Sequence, residues 1–154
     1  MAERSTAVES AHLTLRLTQQ VNASPERVFD ALLDPKSVGA WMGPRTMVEA
    51  CIPEALDPHV GGVYRLRMRR RADSPRGPGD QVVTGVYREI DRPRRLVFTW
   101  QWEDEVHQSL VTFNLRPSGG GTEVTLVHEN LPTPESRDGH NRGWAGCQIG
   151  RAHV

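Results

Sequence analysis

The chain has few cysteines, which form the disulfides and metal sites that stabilise many small domains. Its two cysteines, Cys51 and Cys147, lie far apart and form no CxxC pair. That spacing indicates neither a zinc site nor a thioredoxin-type redox motif. A chain of 154 residues can bury roughly 70% of its unfolded surface, so it needs no metal or disulfide to fold. We therefore predict one domain with reduced thiols and with no metal or cofactor.

The sequence also lacks an excess of charge of either sign. It has 19 basic and 19 acidic residues, which gives a formal net charge of +0. Nucleic-acid-binding domains usually carry a net basic face, so no nucleic-acid partner is expected. No signal peptide is visible, and no apolar run approaches the roughly 20 residues of a membrane helix. A cytoplasmic protein without a membrane partner is predicted.

Several motifs of nucleotide-binding and catalytic sites are missing. The sequence contains no GxxxxGK[ST] loop, no GxGxxG after a strand, no HExxH and no GxSxG. The three consecutive glycines at 119–121 follow a strand-like segment, and they are interpreted as a hairpin turn. The absence of these motifs argues against the common nucleotide-binding and hydrolase classes.

What the sequence does contain is a run of strand-like alternation interrupted by two helical segments. A strand is predicted at 12–21, and Ser24-Pro25-Glu26 has the chemistry of a helix start. Pro35 ends this helix, and a second short helix is expected around Trp41 and Met42. Further strands are predicted at 46–52, after Gly61-Gly62, and at 81–90, 96–102, 107–115 and 122–128.

The order of these segments indicates an α+β domain. Successive strands joined by tight turns pair antiparallel, because parallel strands need long crossovers. A sheet of this kind has one apolar face to bury. Two short helices cannot cover that face, so a further covering element is expected after His128.

The motifs resemble a known family. The segment NASPERVFDALLDPKSVGAWMGP at 22–44 resembles the opening of START-like (SRPBCC) domains. More narrowly, it resembles the branch named after the C-terminal domain of the activator of heat-shock-protein ATPase. The stretches DPHVGGVYRL, TGVYREIDRPRRLVFTWQW, GGGTEVTLVHENL and GHNRGW follow in the order of that branch. The resemblance covers roughly 13–144.

This resemblance implies a helix-grip fold. A curved antiparallel sheet of six to seven strands would surround a C-terminal helix, with two short helices after the first strand. In various members the enclosed space holds lipids, sterols, polyketides or aromatic compounds. The domain is expected at 12–148, preceded by a disordered tail at 1–11. The C-terminal helix would begin near Pro134 or Arg137 and pass through Trp144.

The last six residues carry a separate hypothesis. Residues 149–154, IGRAHV, have no amphipathic pattern that would continue a helix facing the core. They are also what ATC GGA AGA GCA CAC GTC encodes, which is the start of a widely used sequencing adapter. The hypothesis is an artefactual tail after a C-terminal helix that is cut short, leaving the domain incomplete. An ordinary short tail is the alternative.

The candidate ligand-binding residues are large apolar side chains that share one face of their strand or lie on a helix. Such residues line small-molecule pockets, together with a few polar groups. An ordinary core role is the alternative for each of them. The set is Trp41, Met42, Tyr64, Leu66, Met68, Tyr87, Phe98, Trp100, Trp102, His128 and Trp144.

His128 is the candidate acid or base within this set, because it shares the parity of Val124 and Leu126. A hydrogen-bonded structural histidine is the alternative. Three carboxylates are further conceivable lining residues: Glu49, Asp57 and Glu129. One dense basic run could attract an anion but is interpreted as a solvated strand face leading into a loop: Arg65, Arg67, Arg69, Arg70 and Arg71.

These features favour a protein that binds a hydrophobic small molecule without catalysing a reaction. Two alternatives stay open. One is a cyclase- or dehydratase-type enzyme acting on a polyketide-like or aromatic substrate, with His128 and a carboxylate in the pocket. The other is an interaction module that stimulates a chaperone ATPase. A homodimer is left open as well.

Overall fold

The structure is a computed structural model, and it describes residues 13–147. The sequence-based expectations for the tail at 1–11 and for residues 149–154 lie outside the described residues. The described part contains seven strands and three helices. They are β1 (Leu15–Val21), α1 (Pro25–Leu33), α2 (Pro35–Trp41), β2 (Val48–Leu56), β3 (Val63–Arg70), β4 (Gly79–Asp91), β5 (Arg95–Trp102), β6 (Ser109–Ser118), β7 (Gly121–Glu129) and α3 (Pro134–Gly146).

The strands form a single antiparallel sheet with the order β1-β7-β6-β5-β4-β3-β2. From β2 to β7 the sheet is a meander, and β1 closes against β7 with Leu17 opposite Leu126. The sheet curls around its apolar face, which α1, α2 and α3 cover. The α+β helix-grip architecture implied by the resemblance is therefore confirmed, as is a sheet of seven strands.

The two short helices owe their limits to local chemistry. Ser24 caps α1, because its Oγ accepts the backbone N–H of Arg27 at 3.3 Å. Asp34 ends α1 and caps α2, since its Oδ2 accepts the N–H of Ser37 at 2.9 Å. Pro35 occupies the first turn of α2, where its missing N–H has no helical partner to lose. The break that the sequence predicts at this proline is confirmed.

The core beneath α1 and α2 is aromatic. Trp41 is fully buried and donates its Nε1–H to the carbonyl of Ala31 at 3.1 Å. Tyr64 donates its hydroxyl to the carbonyl of Thr99 at 2.5 Å, and burial raises the pKa of this phenol. The ring of Tyr64 lies over Gly85, where an added Cβ would stand 2.4 Å from a ring carbon. A glycine is therefore required in the middle of β4.

The outer face of β2, β3 and β4 is an ion-pair network. Arg65 and Arg67 both bind Glu54, each through Nε at 2.8 Å. Arg67 and Arg69 also contact Asp80. These side chains alternate with the buried residues of β3, so the strand face that the sequence predicts as solvated is confirmed for them.

Helix α3 lies over the opposite half of the sheet. Thr133 caps it by accepting the N–H of Ser136 at 3.0 Å, and Pro134 begins it as predicted. Its last turn is anchored through Cys147, whose carbonyl accepts from Gln19 Nε2 at 3.0 Å. The helix is polar, and Trp144 is its one buried residue among those described.

Candidate functional site

Two spaces lie between the sheet and the helices in the part of the chain that is described. The smaller space, of about 20 Å³, is enclosed by the core under α1 and α2. It has room for a water molecule and for no organic ligand. Six of the predicted ligand-binding residues surround this space, and Met42 lines the larger space as well: Trp41, Met42, Tyr64, Leu66, Tyr87 and Phe98.

The larger space is a cavity of about 450 Å³ between α3 and the sheet. This volume lies within the range of small-molecule sites. Its walls come from the loop after α2, the end of β3, the β3–β4 loop, the end of β5 and one face of α3. Five predicted residues line it: Met42, Met68, Trp100, Trp102 and Trp144.

Two glycines of α3 leave room for this cavity. Gly139 and Gly143 are four residues apart, so they lie on the same face of the helix, and both line the cavity. A Cβ added at Gly143 would meet nothing within 4 Å, and one at Gly139 would meet only Arg142 Nη2 at 3.9 Å. The sequence analysis missed these residues. Their signal was two glycines inside a helix, each costing about 1 kcal/mol of helix stability.

A cluster of indole and imidazole rings lies beside the cavity. The Trp100 ring centroid lies 5.1 Å from Trp144 and 5.5 Å from Trp102. The two histidine rings, His128 and His140, are 4.9 Å apart. The cluster joins β5, β7 and α3, so it fixes the helix on the sheet.

His128 has both ring nitrogens engaged. Its Nδ1 accepts the indole N–H of Trp144 at 3.0 Å, so the proton resides on Nε2. Nε2 lies 2.7 Å from Ser109 Oγ, which in turn donates to the carbonyl of Trp100 at 3.2 Å. Burial, with a smaller contribution from the nearby His140, lowers the pKa of His128 to about 2. His128 is thus neutral and lines neither described cavity.

His140 is a site residue that the sequence analysis missed. It lies on α3, lines the larger cavity, and accepts the Trp102 indole N–H on Nε2 at 2.9 Å. Its Nδ1 donates to the Ser136 carbonyl at 2.7 Å. Burial lowers the pKa of His140, although Glu105 acts in the opposite direction. The residue falls in the GHNRGW motif, but the polar helix shows no periodicity that would orient it.

Trp100 carries the one buried side-chain nitrogen or oxygen atom that has no hydrogen-bond partner among the described residues. The side chain is 4% exposed, and the unpaired atom is its indole nitrogen Nε1. Most such atoms in folded proteins are paired. The neighbouring Trp102 and Trp144 both donate to histidines. The Trp100 N–H is therefore a free donor beside the cavity.

Arg70 lies on a different side of the sheet from the other arginines of the basic run on β3. It shares the parity of Met68 rather than that of its outer-face neighbours, and it lines the cavity. Its Nε donates to the Gly77 carbonyl at 3.1 Å and its Nη2 to the Pro78 carbonyl at 3.3 Å. The interpretation as part of a solvated face is wrong for this residue. Strand parity counted from Met68 would have identified it.

The three carboxylates that the sequence analysis named as conceivable lining residues lie outside both described cavities. Glu49, Asp57 and Glu129 are all exposed, and Asp57 contacts His59 at 2.6 Å. The acidic residues that do line the larger cavity are Asp104 and Glu105, from the turn after β5.

Within residues 13–147, no group of three or more His, Cys, Asp or Glu side chains is arranged to hold a metal ion. None of the helices in this range has both the length and the apolar character needed to cross a membrane.

A curled antiparallel sheet, two short helices after its first strand and a C-terminal helix across its open face define the START-like helix-grip class. Residues 22–148 match the family model described as Activator of Hsp90 ATPase homolog 1-like protein. The chain belongs to this family. A comparison with curated protein sequences gives no significant match.

Solved structures with the same fold come from several organisms. A protein of Chromobacterium violaceum is 27% identical with a TM-score of 0.76, over 86% of this chain and 90% of that chain. The AHSA1 protein of Silicibacter pomeroyi is 26% identical with a TM-score of 0.70, over the same shares. A Plasmodium falciparum protein described as an HSP90 activator is 20% identical, with a TM-score of 0.62 over 88% and 89%. This last likeness shows the fold alone.

Proposed function

We propose that this protein binds a hydrophobic small molecule in the cavity between α3 and the sheet. The observation that carries the proposal is the 450 Å³ space itself, bounded by tryptophan and methionine side chains and widened by two helical glycines. Methionine adapts to irregular ligand shapes, and tryptophan combines a large apolar surface with an N–H donor. Such a lining suits an apolar molecule that carries a few polar groups.

The helix supplies a matched pair of variants to test this site. Gly143→Leu places a side chain in the empty part of the cavity, where a Cβ meets no atom within 4 Å. Ala145→Leu places the same side chain at an exposed position of α3 that does not line the cavity. We expect the first variant to block the site and the second to leave it open.

The measurement is a thermal-shift screen of a metabolite and lipid library, followed by titration of the hits. A ligand present at 100 times its Kd stabilises a protein by about 2.7 kcal/mol. For a chain of this length, that corresponds to a rise in Tm of roughly 5–10 °C. The shift should appear in the unmodified protein and in Ala145→Leu, and be lost in Gly143→Leu. Hits that stabilise all three proteins equally would contradict the proposal.

A chaperone of the Hsp90 type is a second candidate partner, because the family model and one structural neighbour carry that description. This alternative is tested by pull-down with purified Hsp90 and by its ATPase rate. Stoichiometric capture with a raised rate would support it, and no capture at micromolar concentrations would reject it.

The cyclase or dehydratase alternative requires a free acid or base that faces the ligand. In the described residues, both nitrogens of His128 and both nitrogens of His140 are engaged in hydrogen bonds. No observation therefore favours catalysis over binding. The assignment of His128 as acid or base is tested by His128→Ala, which must reduce a detected activity. A cytoplasmic location, a domain at 12–148 and a homodimer remain proposals from the sequence.

A further inference from the structure

We propose that the ligand is an amphipathic monocarboxylate whose carboxylate group binds Arg70 while its apolar body lies against the tryptophan cluster. This inference rests on the proposed function, since it names the chemical class of the molecule in the same cavity. It follows from the charges in the cavity wall, from the way in which Arg70 is held, and from the position of the two acidic residues.

The charged groups of the cavity wall are three guanidinium groups and two carboxylates. The guanidinium groups belong to Arg70, Arg76 and Arg142, and the carboxylates to Asp104 and Glu105. None of the five forms an ion pair within residues 13–147. His140 also lies in the wall; burial lowers its pKa, so it is neutral near pH 7 and adds no charge. The cavity therefore presents one more positive than negative charge.

The other arginines of the basic run form ion pairs with carboxylates. In the same basic run, Arg65, Arg67 and Arg69 hold carboxylates on the outer face, and Arg71 holds Asp73. Only Arg70 in that run points to the apolar side of the sheet, where no carboxylate of the described residues meets it. Its positive charge is thus available to a bound anion.

Arg70 is also held in place before any ligand arrives. It is partly buried, and two loop carbonyls accept hydrogen bonds from its Nε and Nη2. Gly79 stands directly over this group, since an added Cβ would lie 2.6 Å from Nη2. Carbonyl groups orient a guanidinium but do not neutralise it. A planar guanidinium in a fixed position suits the planar carboxylate, which it binds through paired N–H donors.

The two acidic residues restrict the anion to a single charge. Asp104 and Glu105 line the same cavity and leave an excess of one positive charge, so a single carboxylate balances the wall, whereas the second charge of a phosphate monoester would have no counterpart. The apolar part of the wall, with Met42, Met68 and Trp100, then accommodates the hydrocarbon body. A monocarboxylic acid with an apolar body supplies both the single negative charge and the apolar surface. A neutral lipid lacks the charge, and a dianion carries one charge too many.

The experiment compares probes that differ only in the head group. Decanoic acid and biphenyl-4-acetic acid are each titrated beside their methyl ester and the corresponding amine, by isothermal titration calorimetry at pH 7.5. The proteins are the unmodified chain, Arg70→Gln, Arg70→Lys and a matched surface control, Arg88→Gln. Arg88 is an exposed residue of β4 that has no ion pair among the described residues and does not line the cavity.

The expected result is that the acids bind at least roughly tenfold more tightly than their esters, as a charge-assisted hydrogen bond implies. The amines should bind more weakly still. Arg70→Gln should reduce the ratio of acid to ester affinity to near one while leaving ester binding unchanged. Arg70→Lys should restore part of the ratio, and Arg88→Gln should not alter it. Added salt should weaken acid binding only.

Two outcomes overturn the inference while the proposed function stands. One is equal binding of acids and esters, and the other is an acid preference that Arg70→Gln does not change. Binding of esters and acids that persists unchanged in Gly143→Leu would instead remove the cavity as the site, and with it both proposals. Circular dichroism and Tm of each variant report whether a lost preference comes from a lost fold. If Arg70→Gln is misfolded, the salt dependence in the unmodified protein decides.

Discussion

The burial of His128 should make the stability of this protein depend on pH between about pH 5 and pH 7.5. This range lies above the one in which protonation of the protein's carboxylates lowers stability. The side chain is fully buried, and its Nδ1 accepts the indole N–H of Trp144, which leaves no site for a second proton. Its pKa is about 2 in the folded protein and roughly 6.5 in an unfolded chain. Between these values the unfolded chain binds a proton that the folded protein excludes.

The sign and size of the effect follow from this difference. Because the unfolded state binds more protons, stability is complete above about pH 7.5 and falls as the pH drops through 6.5. At pH 5 the loss from this one group is RT ln(1 + 10^1.5), or about 2 kcal/mol. That is a large share of the 5–15 kcal/mol typical of a domain. The carboxylates with lowered pKa are exposed and begin to lose their contribution near pH 4.5, so pH 5 lies above their range.

The assay is urea unfolding, followed by circular dichroism, at pH 8, 7, 6 and 5. The variant is His128→Gln, whose amide can accept from Trp144 and donate to Ser109 without titrating. His59→Gln is the control, since His59 is 80% exposed. The drop between pH 8 and pH 5 should be about 2 kcal/mol smaller in His128→Gln than in the unmodified protein. An equal drop in both would refute the conclusion that His128 is buried and neutral.

Three further substitutions have definite expected outcomes. Gly85→Ala should destabilise the fold by about 3 kcal/mol, because its Cβ would lie against the Tyr64 ring, and thermal unfolding measures the loss. Gly143→Ala should raise stability by up to about 1 kcal/mol, since the helix gains propensity and no atom is met within 4 Å; a lower Tm would contradict this. Trp144→Phe removes the donor to His128 and should lower the free energy of unfolding by about 1–3 kcal/mol, as measured by urea unfolding.

The sequence by itself determined the elements whose causes lie within a few residues. Ser24 and Asp34 accept hydrogen bonds from N–H groups three positions away, and Pro35 disfavours helix in its immediate predecessor. Alternation along β3 separates the buried Tyr64 and Met68 from the arginines of the outer face. These effects act over one helical turn or one strand, so residue order alone predicts them.

The alternation of residues along a strand predicts the side of the sheet on which each side chain lies. It does not predict which helix or cavity that side chain contacts. Tyr64 and Trp100 both lie on the apolar side. Tyr64 packs under α1 and α2 around the smaller space, whereas Trp100 borders the larger cavity. The difference comes from the helix that crosses each part of the sheet. An ordinary core role and a ligand-binding role therefore look the same in the sequence.

Only the tertiary structure decided the composition of the candidate site. Trp102 and His140 are 38 residues apart along the chain, and their hydrogen bond exists because α3 crosses the end of β5. Arg70 is separated from the basic residues of its own run because the sheet lies between them. Gly143 matters through the space it leaves facing the sheet. Each of these roles depends on distances between elements far apart in sequence, and such distances are set by the packing of the whole domain.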